Sequence, residues 1–460
     1  MENYKKQFKE KKITVMGLGI LGRGLGYTKF LAECGADLIV TDIKTKKQLA
    51  TSIQALKSFP RKDLGKIKFV LGKHRLEDFR NRDMVIKAAG VPLDSIYIKE
   101  AVKNKIPIEM DVSLLAKYAK DVMIIGVTGT RGKSMVTALI YEILKKNEKF
   151  LKRNVYIGGN VRGVATLPLL KKIKAGDILV CELDSWQLQG FGDAKISPHI
   201  SVFTSFMPDH MNYYKNNMKS YFNDKANVFK YQKKNDILII RPDVKKLIPK
   251  NIKSKLIIAD AKDVNKYNFI VPGKHQQENL ACAVEVAKLF KIPSSKIGRI
   301  IKNFKGLEGR LQYLKTIKGV KIYNDNNATT PEATVAGIEA LSEEQALPVK
   351  NRQGLLNKKI ILICGGADKK LDLTSFVKVI NKYCKAVIMI PGTGTDILSS
   401  KKLKIKSYKV KNLKESMQKS LGLASRPDII LFSPAFASFG MFNNEYERND
   451  LFMKIIKKFK

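Results

Sequence analysis

The sequence predicts an α/β fold with three domains, each built on a mostly parallel sheet. Short apolar runs typical of buried strands alternate with helix-length segments throughout the 460 residues, and strands separated by helices usually form parallel sheets. Two glycine-rich turns follow apolar runs, at 17–22 and 126–132, as in nucleotide-binding strand–turn–helix units. We place the domains at residues 1–120, 121–312 and 313–460.

Four apolar runs in each domain are predicted to be strands. In the first domain they are KITVMG, DLIVTD, KIKFVLG and DMVIKAAG. In the second they are VMIIGVTG, DILVCELD, HISVFTS and DILII. In the third they are VKIYND, KKIILICGG, KAVIMIPG and PDIILFSPA.

Composition indicates a cytoplasmic protein that does not insert into a membrane. Apolar residues make up 44% of the chain, and no apolar run reaches the roughly 18 residues of a membrane span. The charged N-terminal stretch MENYKKQFKEKK has no apolar segment behind it, unlike a secretory signal. Five widely spaced cysteines lie in apolar surroundings and are expected to be reduced core residues: Cys34, Cys181, Cys282, Cys364 and Cys384.

The net charge of +43 raises the possibility of a nucleic-acid-binding ATPase. That alternative predicts strong, salt-dependent nucleic-acid affinity. The lysines are spread along the whole chain instead of forming one stripe or tail, which favours a solvated basic surface and no nucleic-acid partner. Such a surface would help to attract an anionic small substrate.

The first glycine-rich turn has the spacing of a dinucleotide fingerprint. Gly17, Gly19 and Gly22 form Gly-x-Gly-x-x-Gly, and Asp42 follows twenty residues after the last glycine. A backbone free of side chains can approach a pyrophosphate at such a turn. Taken alone, this motif predicts an NAD-linked oxidoreductase, although the turn would also suit another nucleotide.

The second turn is a phosphate-binding loop. An apolar strand leads into GVTGTRGKS, and a helix with one apolar face follows. Loop N–H groups and the helix N-terminus can cradle phosphates. Lys133 can reach the β- and γ-phosphates, and the Ser134 hydroxyl can hold Mg²⁺. The standard pattern has a glycine five residues before Gly132, but that residue is Val127, and the glycine is Gly126.

GVTGTRGKS resembles the loop of the Mur ligase superfamily, the ATP-dependent amide ligases of peptidoglycan synthesis and their folylpolyglutamate synthetase relatives. At least seven ordered segments share the resemblance, which covers nearly all of the chain. It implies a Rossmann-like N-terminal domain for the UDP-sugar, a central P-loop ATPase domain and a Rossmann-like C-terminal domain for the amino acid. The segments are 126–134, 176–190, 208–229, 273–287, 306–314, 320–334, 363–372 and 431–450.

The resemblance implies that ATP and two Mg²⁺ ions are bound in the phosphate-loop region. Glu182 ends an apolar strand, where a carboxylate is well placed to hold Mg²⁺. The implied metal ligands are Ser134, Glu182, His210 and Lys225, the lysine as a carbamate. The implied ATP contacts are Gly129, Thr130, Gly132, Lys133, Ser134, Asn279, Arg310 and Asp325. The implied catalytic residues are Lys133, His210 and Lys225.

The other implied contacts are with a UDP-sugar and an amino acid. The glycine turn would then hold UDP, with Asp42 facing the uridine end. The implied UDP-sugar residues are Gly19, Ile20, Asp42, Asn160, Ser185 and Gln187. The implied amino-acid residues are Thr329, Lys369, Ser438 and Phe439.

The resemblance is strongest to the family's D-glutamate-adding branch. It implies a monomer that joins UDP-N-acetylmuramoyl-L-alanine to D-glutamate through an acyl phosphate. Lys369 favours an acceptor with an extra carboxylate. Three positions depart from the branch's pattern: Gln276 replaces an asparagine, Gly309 a histidine and Asn327 a lysine. A superfamily member with a different amino-acid acceptor is therefore the nearest alternative.

Overall fold

The structure is a computed structural model that describes residues 3–20, 22–58, 66–344 and 358–459. The chain forms two compact units. The N-terminal unit comprises Met1–Lys266 and Glu278–Ile300, and the C-terminal unit comprises Tyr267–Gln277 and Ile301–Lys460. The described residues form three sheets, one in each predicted domain. The domain boundaries at 120 and 312 stay predictions.

The first sheet has five parallel strands in the order β3-β2-β1-β4-β5, which is a Rossmann-like order. Helices cover both faces, so the strands read as apolar runs instead of alternating patterns. The strands are β1 (Lys12–Met16), β2 (Asp37–Asp42), β3 (Ile67–Leu71), β4 (Met84–Lys87) and β5 (Ile108–Glu109). The helices are α1 (Asn3–Phe8), α2 (Arg23–Glu33), α3 (Ala50–Lys57), α4 (Ile96–Lys103) and α5 (Asp111–Tyr118).

The second sheet has six parallel strands in the order β11-β10-β9-β6-β8-β7. Strand β6, which leads into the phosphate-binding loop, lies between β8 and β9. The strands are β6 (Met123–Thr128), β7 (Val155–Gly159), β8 (Ile178–Glu182), β9 (Ile200–Phe203), β10 (Ile237–Ile240) and β11 (Lys255–Ile258). The helices are α6 (Lys133–Lys145), α7 (Glu148–Leu151), α8 (Ser185–Asp193), α9 (Met218–Ala226), α10 (Lys274–Leu289) and α11 (Ser294–Lys302).

The third sheet has six strands in the order β12-β13-β17-β14-β15-β16. Strands β12 and β13 form an antiparallel pair, and the other pairings are parallel. The strands are β12 (Gln312–Ile317), β13 (Val320–Asn324), β14 (Ile360–Cys364), β15 (Cys384–Met389), β16 (Lys406–Lys409) and β17 (Ile429–Phe432). The helices are α12 (Pro331–Glu344), α13 (Thr374–Tyr383), α14 (Thr393–Ser399), α15 (Leu413–Leu423) and α16 (Glu445–Lys458).

These sheets confirm the predicted α/β class and all twelve predicted strands. Short 3₁₀ helices lie at Leu76–Phe79, Leu167–Lys171, Pro242–Leu247 and Ala261–Val264. The five cysteines are buried and form no disulfide, as predicted. Within the described part of the chain, every helix is too short or too polar to cross a membrane.

Candidate active site

The phosphate-binding loop joins β6 to α6 and depends on two glycines. Gly132 precedes α6 with a φ of 87°, in the left-handed region that glycine adopts without strain. Gly129 has a φ of 141°, and a Cβ there would lie 2.2 Å from Thr204 Oγ1. The loop can therefore present its N–H groups and the start of α6, including Ser134, to a phosphate.

Polar residues after β9 fix this loop in place. The Ser205 carbonyl accepts a hydrogen bond from the Thr130 N–H at 2.7 Å, and Ser205 Oγ accepts one from the Arg131 N–H at 2.8 Å. The Thr204 hydroxyl donates to the Arg131 carbonyl. Thr204 and Ser205 were not among the predicted site residues. Their position at the end of the predicted strand HISVFTS could have indicated a role in the site.

Two lysine amines share one carbonyl of the loop. Lys133 Nζ donates to the Gly129 carbonyl at 3.0 Å and to the Thr130 carbonyl at 3.1 Å. Lys225 Nζ, from α9, donates to the same Gly129 carbonyl at 2.8 Å and lies 4.8 Å from the centre of the Tyr221 ring. Two of the three predicted catalytic residues are thus brought together.

Burial makes Lys225 an unusual lysine. Its side chain is only 1% exposed. Burial lowers the pKa of Lys225 to about 7, the nearby charge of Lys133 lowers it further, and Asp184, Asp209 and Asp224 oppose both effects. A substantial fraction of the Lys225 amine is therefore neutral, and hence nucleophilic, near pH 7.

Glu182 lies at the carboxyl end of β8, in register with Val127 of β6 and with Gly159 of β7. Its side chain is buried, and its Oε1 accepts a hydrogen bond from Asn160 Nδ2 at 3.4 Å. A predicted metal ligand and a predicted substrate residue are thus adjacent. They lie at the carboxyl ends of the strands, where α/β proteins bind their ligands.

His210 is linked to the phosphate-binding loop through Asp209. Asp209 Oδ2 lies 3.8 Å from His210 Nε2 and 3.8 Å from Arg131 Nη1. The His210 ring packs against Trp186 with 4.6 Å between ring centres. Burial lowers the pKa of His210, an effect that Asp209 partly opposes. The lowered pKa favours the neutral ring, which is the form that can ligate a metal ion.

The predicted metal ligands include few acidic groups. Among the residues that the structure describes, no group of three or more His, Cys, Asp and Glu side chains is placed to hold a metal ion. The Ser134 hydroxyl and the Glu182 carboxylate suit Mg²⁺, which is usually held by one or two protein oxygens together with phosphates and water. A positively charged Lys225 would not suit it, whereas a Lys225 carbamate would.

Ser185 and Gln187 lie at the start of α8, where Gln187 supports the helix. Gln187 N–H donates to Asp184 Oδ1 at 2.7 Å, and Gln187 Oε1 accepts from Asp184 N–H at 3.3 Å. This reciprocal pair is a capping box. Ser185 and Gln187 are both 1% exposed. Their predicted contact with the UDP-sugar stays a prediction.

Asp42 holds the first glycine turn. Its buried carboxylate accepts hydrogen bonds from Gly19 N–H and Lys44 N–H, each at 2.9 Å. The neighbouring predicted contact, Ile20, is 51% exposed. Asp42 therefore shapes the turn through the backbone, while Ile20 remains accessible to a ligand.

The remaining predicted ATP residues are divided between the two units. Asn279, in the N-terminal unit, packs against the loop, since a Cβ on Gly132 would lie 2.4 Å from Asn279 Oδ1. Arg310 and Asp325 belong to the C-terminal unit. Asp325 accepts hydrogen bonds from Leu311 N–H at 3.0 Å and from the Ser433 hydroxyl at 2.9 Å.

The four predicted amino-acid contacts lie on three loops of the C-terminal unit. Lys369 Nζ donates to the Thr329 hydroxyl at 3.1 Å. Two hydrogen bonds between the backbones of Ala367 and Ala437 join the Lys369 loop to the loop that carries Ser438. Ser438 is buried, whereas the adjacent Phe439 is 62% exposed.

Comparison with known proteins identifies the family. A model described as "Mur ligase middle domain" matches residues 127–265, and one described as "Mur ligase MurD-like, N-terminal domain" matches residues 11–109. A UDP-N-acetylmuramoylalanine–D-glutamate ligase from Borreliella burgdorferi is 33% identical over 98% of both chains. The chain belongs to the Mur ligase family. A ligase of the same name from Roseiflexus sp. is 31% identical over 98% of this chain and 100% of its own.

Solved Mur ligases share the fold. The UDP-N-acetylmuramate–alanine ligase MurC from Thermotoga maritima superposes with a TM-score of 0.59 at 19% identity, over 98% of this chain and 100% of its own. The MurF ligase from Thermotoga maritima, solved in complex with ADP, gives 0.56 at 15% identity, over 99% and 96%. At these identities the likeness supports the architecture alone.

Two departures from the Mur ligase pattern lie in direct contact. Asn327 N–H donates to the Gly309 carbonyl at 2.8 Å, and a Cβ on Gly309 would lie 3.1 Å from Asn327 Oδ1. Asn327 also donates to the Glu308 carbonyl, and Asn449 donates to the Glu308 carboxylate. These exchanges therefore belong to one packed cluster beside Arg310.

Replacing Gly129 with alanine is expected to lower the free energy of unfolding by about 1–3 kcal/mol, because the backbone conformation is strained for other residues and the Cβ meets Thr204. Gly90→Ala, in the same unit and with open space around the Cβ, should change it by less than about 0.5 kcal/mol. Urea unfolding measures both. Equal effects would contradict the steric argument.

Asp325 should make stability pH-dependent. Burial raises its pKa from 3.8 to about 7, so the folded state retains a proton that the unfolded chain loses. Its contribution to stability is complete below pH 3.8 and is lost as the pH rises to about 7. Over this pH range, the free energy of unfolding of Asp325→Asn should therefore fall by about 1–4 kcal/mol less than that of the wild type. Unfolding measured across this pH range, with exposed Asp396→Asn as control, tests it; an unchanged slope would contradict it.

Proposed function

We propose that this chain is an ATP-dependent ligase of peptidoglycan precursor synthesis that joins D-glutamate to UDP-N-acetylmuramoyl-L-alanine. The observation that carries the proposal is the pair of amines, Lys133 and Lys225, on the Gly129 carbonyl of the phosphate-binding loop. Lys133 can offset charge in a reaction in which ATP and a carboxylate, both anions, must approach each other, and the Lys225 amine is placed to form a carbamate that would hold a metal ion there. The names of the similar curated proteins supply the substrates.

The reaction has two chemical steps. An oxygen of the L-alanine carboxylate attacks the γ-phosphorus of ATP, the bond to the ADP oxygen breaks, and an acyl phosphate forms. The D-glutamate amine then attacks the acyl carbon, a tetrahedral intermediate collapses, and phosphate leaves as the amine loses its proton. Lys133 would offset the negative charge that develops during phosphoryl transfer.

Lys225 would act as a carbamate. Its neutral amine can attack CO₂, forming a bond between Nζ and carbon and releasing a proton. The product is an anion next to Lys133, which replaces the repulsion between two cations with an attraction. Lys225 and His210 would then hold one Mg²⁺, and Ser134 and Glu182 the other.

The bound Mg²⁺ ions would supply positive charge to the reacting phosphoryl group. The protein would supply the remaining contacts. Beyond the loop residues Gly129, Thr130 and Gly132, we assign Asn279, Arg310 and Asp325 to ATP. We assign Gly19, Ile20, Asp42, Asn160, Ser185 and Gln187 to the UDP-sugar, and Thr329, Lys369, Ser438 and Phe439 to D-glutamate.

We extend the proposal to the domains and to the setting in which the enzyme works. Residues 1–120 would bind the UDP-sugar, 121–312 ATP and 313–460 the amino acid. The enzyme would act as a monomer. It would work in the cytoplasm, since free buried cysteines are typical of a reducing compartment.

Measuring ADP release across a panel of D- and L-amino acids tests the function. We expect turnover that requires both UDP-N-acetylmuramoyl-L-alanine and D-glutamate. Activity with another acceptor and none with D-glutamate would favour a different Mur ligase specificity. ATP hydrolysis stimulated by DNA or RNA in place of these substrates would favour the nucleic-acid alternative, and tight binding of NAD with no response to UDP would favour the oxidoreductase.

A further inference from the structure

The proposed acceptor region of the C-terminal unit contains a fully buried arginine. Arg448, on α16, is 0% exposed. Its guanidinium forms no salt bridge with any residue that the structure describes; its hydrogen bonds go to neutral acceptors. Burial lowers the pKa of Arg448 to about 10, and the charge of Glu445 opposes this shift. The side chain is therefore charged at neutral pH, and buried charges usually have an ionic partner.

Three hydrogen bonds place this guanidinium between two loops. Arg448 Nε donates to Asn326 Oδ1 at 2.8 Å, and Nη2 donates to the Asn326 carbonyl at 3.0 Å. Nη1 donates to the Phe436 carbonyl at 3.3 Å. The loop of Asn326 carries Thr329, and the loop of Phe436 carries Ser438. Arg448 thus connects the backbones that present two of the proposed D-glutamate contacts.

Arg448 also adds positive charge to this region. Burial lowers the pKa of Lys369, the charge of Glu445 opposes this shift, and the charge of Arg448 adds to it. Two cations therefore act in the region that Glu445 only partly neutralises. A ligand with two carboxylates would relieve this imbalance better than a ligand with one, because each carboxylate can offset one of the two cations.

We propose that Arg448 is a positioning residue that also determines specificity: it orders the two acceptor loops and its buried charge selects an amino acid with a second carboxylate. This inference rests on the proposed function and deepens it. A purely structural role for Arg448 would instead affect acidic and neutral acceptors alike, since both depend on the same loops.

The test compares D-glutamate with D-glutamine, in which an amide replaces the side-chain carboxylate. D-glutamate is followed as substrate, and D-glutamine as a competitive inhibitor. In Arg448→Met we expect the KM for D-glutamate to rise at least about tenfold more than the D-glutamine inhibition constant, with the KM for ATP nearly unchanged. Arg448→Lys should retain most of the preference. Lys454→Met, which removes an exposed lysine of the same helix, is the control.

A second variant avoids removing the buried side chain. Asn326→Asp keeps an oxygen acceptor for Arg448 Nε but gives the guanidinium a carboxylate partner. The exchange also removes the hydrogen bond from Asn326 Nδ2 to the Glu445 carbonyl, which affects both ligands alike. D-glutamate binding should therefore weaken much more than D-glutamine binding. Equal weakening of both ligands in the Arg448 and Asn326 variants would overturn the inference. Failure of the wild-type enzyme to use D-glutamate would instead overturn the proposed function.

Discussion

Lys225→Ala is expected to lower the rate of ADP release by roughly 100- to 1000-fold, a loss typical of removing one group that stabilises developing charge. The side chain is buried and donates to the Gly129 carbonyl within the phosphate-binding loop. If its carbamate is the active form, short-chain carboxylic acids should restore part of the activity, because they supply an anionic oxygen to the space that the side chain leaves.

Lys219→Ala is the matched control, since Lys219 is an exposed lysine of the same helix α9. It should retain full activity and show no response to added carboxylic acids. Trp186 is the only tryptophan in the sequence and packs on His210, so its fluorescence reports whether this region remains intact. A Lys225→Ala enzyme with unimpaired activity would contradict the proposed role.

Lys133→Met should abolish phosphoryl transfer almost completely, with a loss of about 1000-fold or more. UDP-sugar binding should persist, because the proposed UDP contacts lie elsewhere. The charge of Lys133 also lowers the pKa of Lys225, so this pKa should rise in the variant and less neutral amine should be available for CO₂.

Isotope exchange between ADP and ATP, together with titration by UDP-sugar, separates these effects. Lys146→Met, at an exposed lysine directly after α6, should behave like the wild type. The assignment of Lys133 to phosphoryl transfer would be wrong if the variant lost UDP-sugar affinity but retained the exchange reaction.

The sequence was sufficient to locate the interior of each sheet. All eleven strands that have two neighbours were predicted, together with β3. The five strands that were missed, β5, β7, β11, β12 and β16, all lie at a sheet edge. Edge strands pair on one side only, so they can be short and polar. Strand β16 reads KSYK and is mostly exposed, which leaves no apolar run to recognise.

The sequence predicted the part of the candidate site that lies within a single turn. The glycines and Lys133 follow directly from strand–turn–helix spacing. The shared Gly129 carbonyl was not predictable, since Lys225 lies 96 residues further along the chain and spacing alone does not specify such contacts. The capping box was not predicted, although Asp184 and Gln187 have the three-residue separation that such a box requires.

The five buried cysteines allow local opening of this chain to be measured by thiol labelling. Burial raises the pKa of every thiol, so alkylating reagents should modify the native protein very slowly. Cys34, Cys181 and Cys282 lie in the N-terminal unit, and Cys364 and Cys384 in the C-terminal unit. Mass spectrometry of time-resolved labelling would show which unit opens first. ATP should slow labelling most at the thiols whose exposure requires the nucleotide to leave.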